Sequence, residues 1–277
     1  MSAIRREFVK TLYQKRTYIG WAGLFLVPFL ITLAFRFSSA GPGGGASPSG
    51  GADIGEQLFG QIRTNGMYVL MAALMALATF LLPLLSSMSG SYTIAGEAEN
   101  GTLRTMLMQP IRRGTLLMAK WFVANVYVAI GLVILGVAAL IAGGVVFGLD
   151  QVTLFSGQTV GVGHALGLTA ASYAYVLVGM IAVVSLAVLF STLTNSSLTA
   201  VAAALVLVII MEALGAFSVF DFLKPYLFTS HFDAWTNLFR SPVSWDPIIK
   251  GLINFAVWIV GMTGLAYLNF RRKDILS

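Results

Sequence analysis

Cysteine is absent from this 277-residue chain, histidine occurs twice, and charged residues make up 10%. Without cysteine there is no disulfide framework and no thiolate metal site. A soluble domain carries about a quarter of its residues as charges, so the scarcity of charge excludes a chain that covers itself in water. No Gly-Lys pair occurs. A G-x-x-x-x-G-K-[ST] phosphate loop is therefore missing, and any work driven by ATP needs a second polypeptide to hydrolyse it. No H-E-x-x-H occurs either. His164 and His231 fall outside the apolar runs that could bury a catalytic base, and the lone Ser89-Gly90 pair has no histidine partner inside a span. These gaps argue against an intramembrane enzyme. No filter motif or charged ring marks a channel.

What remains is apolar: 57% hydrophobic residues and a mean hydropathy of +0.85. A span needs about 20 apolar residues. Six candidates follow: Tyr18–Phe35, Met67–Tyr92, Trp121–Leu149, Ala165–Leu193, Leu198–Phe217 and Ile248–Phe270. Pro28 and Pro83 are expected kink sites. The first run reads as a retained span rather than a cleaved signal, since no small-residue cleavage site follows it. The expectation is an all-α integral membrane protein forming one membrane domain over 1–277. The net charge of +6 records topology rather than nucleic-acid binding, because the bases cluster at the ends of apolar runs.

Six spans place the N-terminal Arg5, Arg6, Lys10, Lys15 and Arg16 on one side. The same side receives Arg104, Arg112, Arg113 and Lys120 between spans two and three, and Arg271, Arg272 and Lys273 at the end. Only Arg36, Arg63, Lys224, Arg240 and Lys250 fall opposite. The positive-inside rule then makes both termini cytoplasmic. Residues 1–17 place Ile4, Phe8, Val9, Leu12 and Tyr13 at helical spacing with bases opposite, which predicts an amphipathic helix lying on anionic lipid. Residues 38–66 form an external linker with a glycine-rich stretch. Residues 217–245 hold nine aromatics in 29 positions, too many for a solvated loop. They form either an interfacial or re-entrant segment or a compact aromatic cap.

The least apolar stretch is AGEAENGTLRTMLMQPIRRGTLLMAKW, residues 95–121. Asn100, Gly101 and Thr102 supply capping and turn chemistry. Leu103, Met106 and Leu107 then share one helical face, and Pro110 ends that helix. So short a helix is marginal alone. It either docks in a groove of a soluble partner or folds back on the membrane surface.

This stretch resembles the loop between spans two and three of type-2 ABC exporter permeases. The likeness rests on Glu97 or Glu99, Gly101-Thr102-Leu103, Pro110-Ile111-Arg112-Arg113, and Leu116-Leu117 with Lys120; the family's usual glycine before that lysine is Ala119 here. The ending Phe270–Ile275, the amphipathic start and the six spans extend the resemblance along the chain. It implies a short coupling helix within the cytoplasmic loop 94–120, with Glu97, Glu99, Gly101, Thr102, Leu103, Arg104, Met106, Leu107, Pro110 and Arg112 meeting the partner. It also implies two copies of a cytoplasmic ABC ATPase holding ATP and Mg, and a second permease copy or paralogue. No cofactor is expected in this chain itself. The setting would be a prokaryotic cell membrane and the cargo an amphiphile such as a drug, lipid or peptide. The aromatic segment 218–247 would match the small external helices of the family.

Three polar features invite a transport path. Glu212 is the acid set well inside a span, and an acid at a helix centre costs roughly 2.5–3.5 kcal/mol, less toward an end. It is either a cargo or proton contact, a structural pair with Lys224 or Arg240, or an acid that snorkels to the outer surface. Ser86 and Ser89 could wet a cavity or simply pack helices. The alternative function is a secondary transporter with Glu212 as its ion-coupling site; such proteins often show matched internal repeats, and none is visible here.

Overall fold

The computed structural model describes residues 3–13, 15–37, 61–102, 113–154 and 157–272. Nine α-helices order the described chain: α1 Ala3–Leu12, α2 Lys15–Phe37, α3 Met67–Ala78, α4 Leu81–Ser91, α5 Ala95–Glu99, α6 Arg113–Phe147, α7 Val162–Leu193, α8 Ser197–Ala216 and α9 Trp245–Arg272. A two-residue antiparallel pair, Val152–Thr153 with Thr159–Val160, closes the hairpin between α6 and α7. Five helices are long and apolar enough to cross a membrane, and α3 with α4 make a sixth crossing if the bent pair is counted as one.

Contacts at the two ends of the bundle show that the bent pair does run from one end to the other. The α3 start is tied to the α6 end, where Gly66 N donates to Gly148 O and the Asn65 amide donates to Asp150 O at 2.7 Å. A Cβ on Gly66 would lie 2.3 Å from the Gly143 carbonyl, so the two backbones meet only because both residues are glycine. The α4 end reaches instead the α7 end, where Ser191 Oγ donates to Ser91 O at 2.7 Å. The bend of 55° falls between Ala78 and Leu81. Pro83 explains its place. Its ring removes the bond to the carbonyl four residues back, at Thr79, and crowds it. The expected kink is thus a break ahead of the proline, and Pro83 itself sits in the first turn of α4.

Helix α7 is the centre of the fold. Its most apolar stretch is 67% buried, against 17% for those of α2 and α9. Thr169, Ser172, Gly179, Ala182 and Ser185 give it small inward positions, which suits close helix packing in lipid. Ser172 and Ser185 return their hydroxyls to the carbonyls of Leu168 and Ile181.

Two boundaries differ from expectation. The loop expected over 94–120 ends earlier, because α6 begins at Arg113. Lys120 does not interrupt the helix, since its charge is met by two carboxylates described below. The segment expected over 218–247 likewise gives way to α9 at Trp245.

The aromatic segment divides residue by residue between the two alternatives. Phe228, Phe232, Trp235 and Phe239 are buried along the 3-10 stretch Thr229–Phe239. Phe228 packs edge-on to Trp258 at 5.1 Å, and Phe232 meets Phe255 at 6.1 Å. The Tyr175 hydroxyl donates to His231 O, and Trp258 Nε1 to Tyr226 O, both at 2.9 Å. These rings cap α7 and α9. Phe217, Phe222, Tyr226 and Trp245 remain exposed, the part left for an interface.

Candidate functional site

One end of the bundle gathers α1, α5, the α7–α8 turn and the close of α9. Asn269 near the chain's end donates to Thr192 at 3.0 Å, and Glu7 near its start reaches Lys120 at 3.0 Å. Helix α1 and the close of α9 therefore share an end with α5, which fits an even number of crossings.

Helix α5 is only five residues long, too short to be stable alone, and its neighbours hold it at both ends. At its start, Ser191 Oγ accepts from the amides of Ile94 at 3.0 Å and Ala95 at 2.8 Å. This side chain from α7 takes two of the orphan donors of a helix N-terminus. At its end, Gly101 adopts φ +68°, the left-handed conformation that glycine supplies after a helix. Asn100 closes the same turn by donating to Gly96 O at 2.6 Å.

Its two acids face different helices. Glu99 accepts from the Ser197 amide at 3.0 Å and from the Ser197 hydroxyl. It thereby caps the first turn of α8, where a negative charge also suits the helix dipole. Those two hydrogen bonds hold the Glu99 carboxyl below its ordinary range. Glu97 points inward. One oxygen accepts from Lys10 and, at 3.2 Å, from Lys120; the other accepts from Thr102. Burial pushes its carboxyl up, but the Lys120 charge with the Lys10 and Thr102 hydrogen bonds outweighs that and brings it down to about 2. Lys120 is 3% exposed and bridges Glu97 to Glu7. The ammonium and carboxylates thus compensate one another where a lone charge would be untenable.

The result is a short segment fixed to α1, α6, α7 and α8 at once. It is a point where four helices meet.

Of the residues expected to meet a partner, Glu97, Glu99, Gly101 and Thr102 converge here. Leu103, Arg104, Met106, Leu107, Pro110 and Arg112 lie outside the described residues. Glu7, Lys10, Ser191 and Ser197 complete the site. Ser191 and Ser197 bound the turn STLTNSS, expected as a short cytoplasmic hairpin able to form a second partner contact. Lys10 counted only as a topology charge, and Glu7 was not singled out in the sequence. The lone acid in the basic stretch IRREFVK was the available signal for Glu7. On α1, Glu7 turns inward while Val9 is exposed, as is Tyr13 just after the helix.

The path residues are scattered. Ser89 lines a cavity and donates to Ala124 O at 3.0 Å. Ser86 is fully buried, and its hydroxyl has no partner among the described residues. Glu212 sits near the other end of α8, half-buried, within electrostatic range of Asp233. Lys224 is not its partner: it pairs with Asp221 at 2.7 Å. Among the described residues Glu212 has no ion pair.

Part of the chain is similar to the probable ABC transporter permease protein NosY of Stutzerimonas stutzeri, with 33% identity over 131 residues, covering 46% of this chain and 48% of that protein. It is also similar to the probable NosY permease of Pseudomonas aeruginosa, with 36% identity over 88 residues, covering 31% of this chain and 32% of that protein. The chain thus matches about half and about a third of the length of these two relatives. Residues 1–275 match the family described as ABC-2 family transporter protein. A multi-pass helical bundle matched over almost its whole length, the chain belongs to the ABC-2 family of transporter permeases.

Proposed function

We propose that this chain is the non-catalytic membrane subunit of an ATP-driven exporter, and that the segment entered from α5 is the docking point for a separate cytoplasmic ATPase. The observation that carries the reading is the fourfold tie of α5 to α1, α6, α7 and α8 through Lys120, Ser191 and Ser197. A docking element must pass force to the spans without slack, and buried ionic and hydrogen-bonded ties are stiff in a low-dielectric setting. The end carrying both termini is then cytoplasmic. Two ATPase copies, holding ATP and Mg, act on a pair formed with a second permease copy or paralogue. The curated relatives are named as ABC transporter permeases, which supports an ATPase in a partner chain. The cargo class is an amphiphile.

Affinity purification of the chain from its native membrane in mild detergent tests this. The expected result is a stoichiometric co-purifying ATPase whose turnover depends on the chain. A double variant, Leu103→Asp with Met106→Asp, should insert normally and lose that ATPase. Normal capture of the ATPase by the double variant overturns the docking assignment. A partnerless chain that moves protons in vesicles, and stops doing so as Glu212→Gln, would favour the secondary transporter instead.

A further inference from the structure

A slot of about 420 Å³ runs between α6 and α7, with Leu70 of α3 behind it. Its size falls within the roughly 300–1,000 Å³ of small-molecule sites. Its rims face outward. Val133 is 64% and Val137 49% exposed on α6, and Ala170 and Ala174 are exposed on α7. A Cβ built on Gly136 would lie 3.2 Å from the Tyr173 ring. The two walls therefore nearly touch at that level, and the gap is too narrow to seat a helix, whose axis keeps roughly 8–10 Å from its neighbours.

The slot follows the helix axes. From Leu166 to Leu177, both of which line it, α7 rises roughly 16 Å. One leaflet of the hydrocarbon core is about 15 Å deep. Leu166 and Leu140 mark the upper end, near the hairpin that joins α6 to α7. That is the end of the bundle remote from α5, so the slot matches the depth of the leaflet away from α5.

Its chemistry is that of a hydrocarbon. No charged residue lines it. Its two hydroxyls are spent inside the protein: Thr169 donates to Ala165 O at 2.8 Å and Tyr173 to Leu70 O at 3.2 Å. A hydroxyl has one proton to give, so an arriving polar group meets no free donor. A protein helix laid across the rims would leave the volume unfilled, and its lining would forfeit dispersion contacts. A single row of methylenes can enter and recover them.

We propose that this slot holds one acyl chain of a phospholipid from the leaflet away from α5. The lipid is resident, walled on three sides, rather than one of the exchanging boundary layer. Its head stays at the hairpin end and plays no part in recognition. The site stands on α3, α6 and α7 and holds whether or not an ATPase docks at α5.

The test is photocrosslinking of the full chain in nanodiscs containing phosphatidylglycerol with a diazirine on one acyl chain, the adducts being mapped by peptide mass spectrometry. The reference is the exposed face of α9, where Val257 is 65% and Val260 73% exposed. Adducts on the slot residues of α6 and α7 should exceed those on that face at least fivefold. Ala170→Phe and Ala174→Phe, which fill the slot from its rim, should each cut the slot adducts at least fivefold and leave the α9 adducts unchanged. A diazirine near the head should mark Leu140 and Leu166, and one near the chain end Ala129 and Leu177. Phosphatidylcholine carrying the same chain should give the same yield. Slot adducts no more abundant than those on α9 show ordinary boundary lipid and overturn the site, even if both variants misfold. Unchanged slot adducts in two folded variants also overturn it. The reverse order of marking overturns the assigned leaflet, and a yield that follows the head overturns recognition by the chain.

Discussion

The ammonium of Lys120 lies 3.0 Å from the carboxylate of Glu7, a residue 113 positions earlier in the chain. That contact joins α1 to α6, and the same ammonium meets Glu97 of α5 at 3.2 Å. Lys120 is therefore the hub of the junction. Lys120→Met leaves two buried carboxylates facing each other with Lys10 as their remaining cation in the cluster. Removing one partner of a buried pair costs roughly 3–5 kcal/mol. The expected outcome is a clear fall in the thermal unfolding midpoint in detergent. Adding Glu7→Gln and Glu97→Gln should recover much of it, because the charges are then removed together. A midpoint unchanged by Lys120→Met would show that the cluster is not buried as described.

Glu99 and Ser197 act as one unit at the start of α8. Glu99→Ala and Ser197→Ala should each lower the thermal midpoint, because each removes part of the cap on the first turn of α8. The double variant should cost little more than either single, as expected for residues sharing one contact. Full additivity would mean the two act apart.

Glu97 gives a pH signature. Its carboxyl is lowered from an ordinary 4.5 to about 2. Between these values the unfolded chain binds the extra proton, so stability rises with pH. The contribution is complete above about 4.5 and disappears as pH falls through about 2. Thermal midpoints measured down that window should drop more steeply for wild type than for Glu97→Gln. The variant should already be weaker at neutral pH. Parallel curves would exclude Glu97 as the titrating group.

Glu212 separates stability from transport. A half-buried acid without an ion pair among the described residues costs stability, by less than the roughly 2.5–3.5 kcal/mol of a helix centre. Glu212→Leu should raise the thermal midpoint. If the acid lies on the export path, transport falls in the same variant while ATPase binding persists. A lower midpoint would reveal a stabilising role that its surroundings do not suggest.

Phe232 tests the aromatic cap. It packs on Phe228 at 5.6 Å and on Phe255. Phe232→Ala should destabilise by roughly 3–5 kcal/mol. The exposed Phe222 should tolerate alanine in detergent with almost no change. Equal effects would mean the segment is not seated on α7 and α9.

The sequence by itself determined the class of protein and its span pattern, because about 20 consecutive apolar residues have few other fates than a bilayer. It also marked Asn100, Gly101 and Thr102, since turn and capping chemistry is local and readable at short range, whereas Glu97 and Glu99 were picked out by the resemblance. The partners of that segment were decided only by the tertiary structure. Nothing in a linear pattern pairs Glu7 with Lys120, or Ser191 with the amides of Ile94 and Ala95. Those contacts depend on which helix ends the packing brings together. The same holds for the start of α6: a lysine followed by an apolar run reads as a boundary until two distant carboxylates neutralise it. The nine aromatics before α9 announced burial, but which of them face the core depended on where α7 offers Gly179. A Cβ there would already press against Phe232 and Phe255 at 3.2 Å. Local chemistry is written residue by residue, whereas compensation of charge and filling of space are properties of surfaces that exist only after the helices have packed.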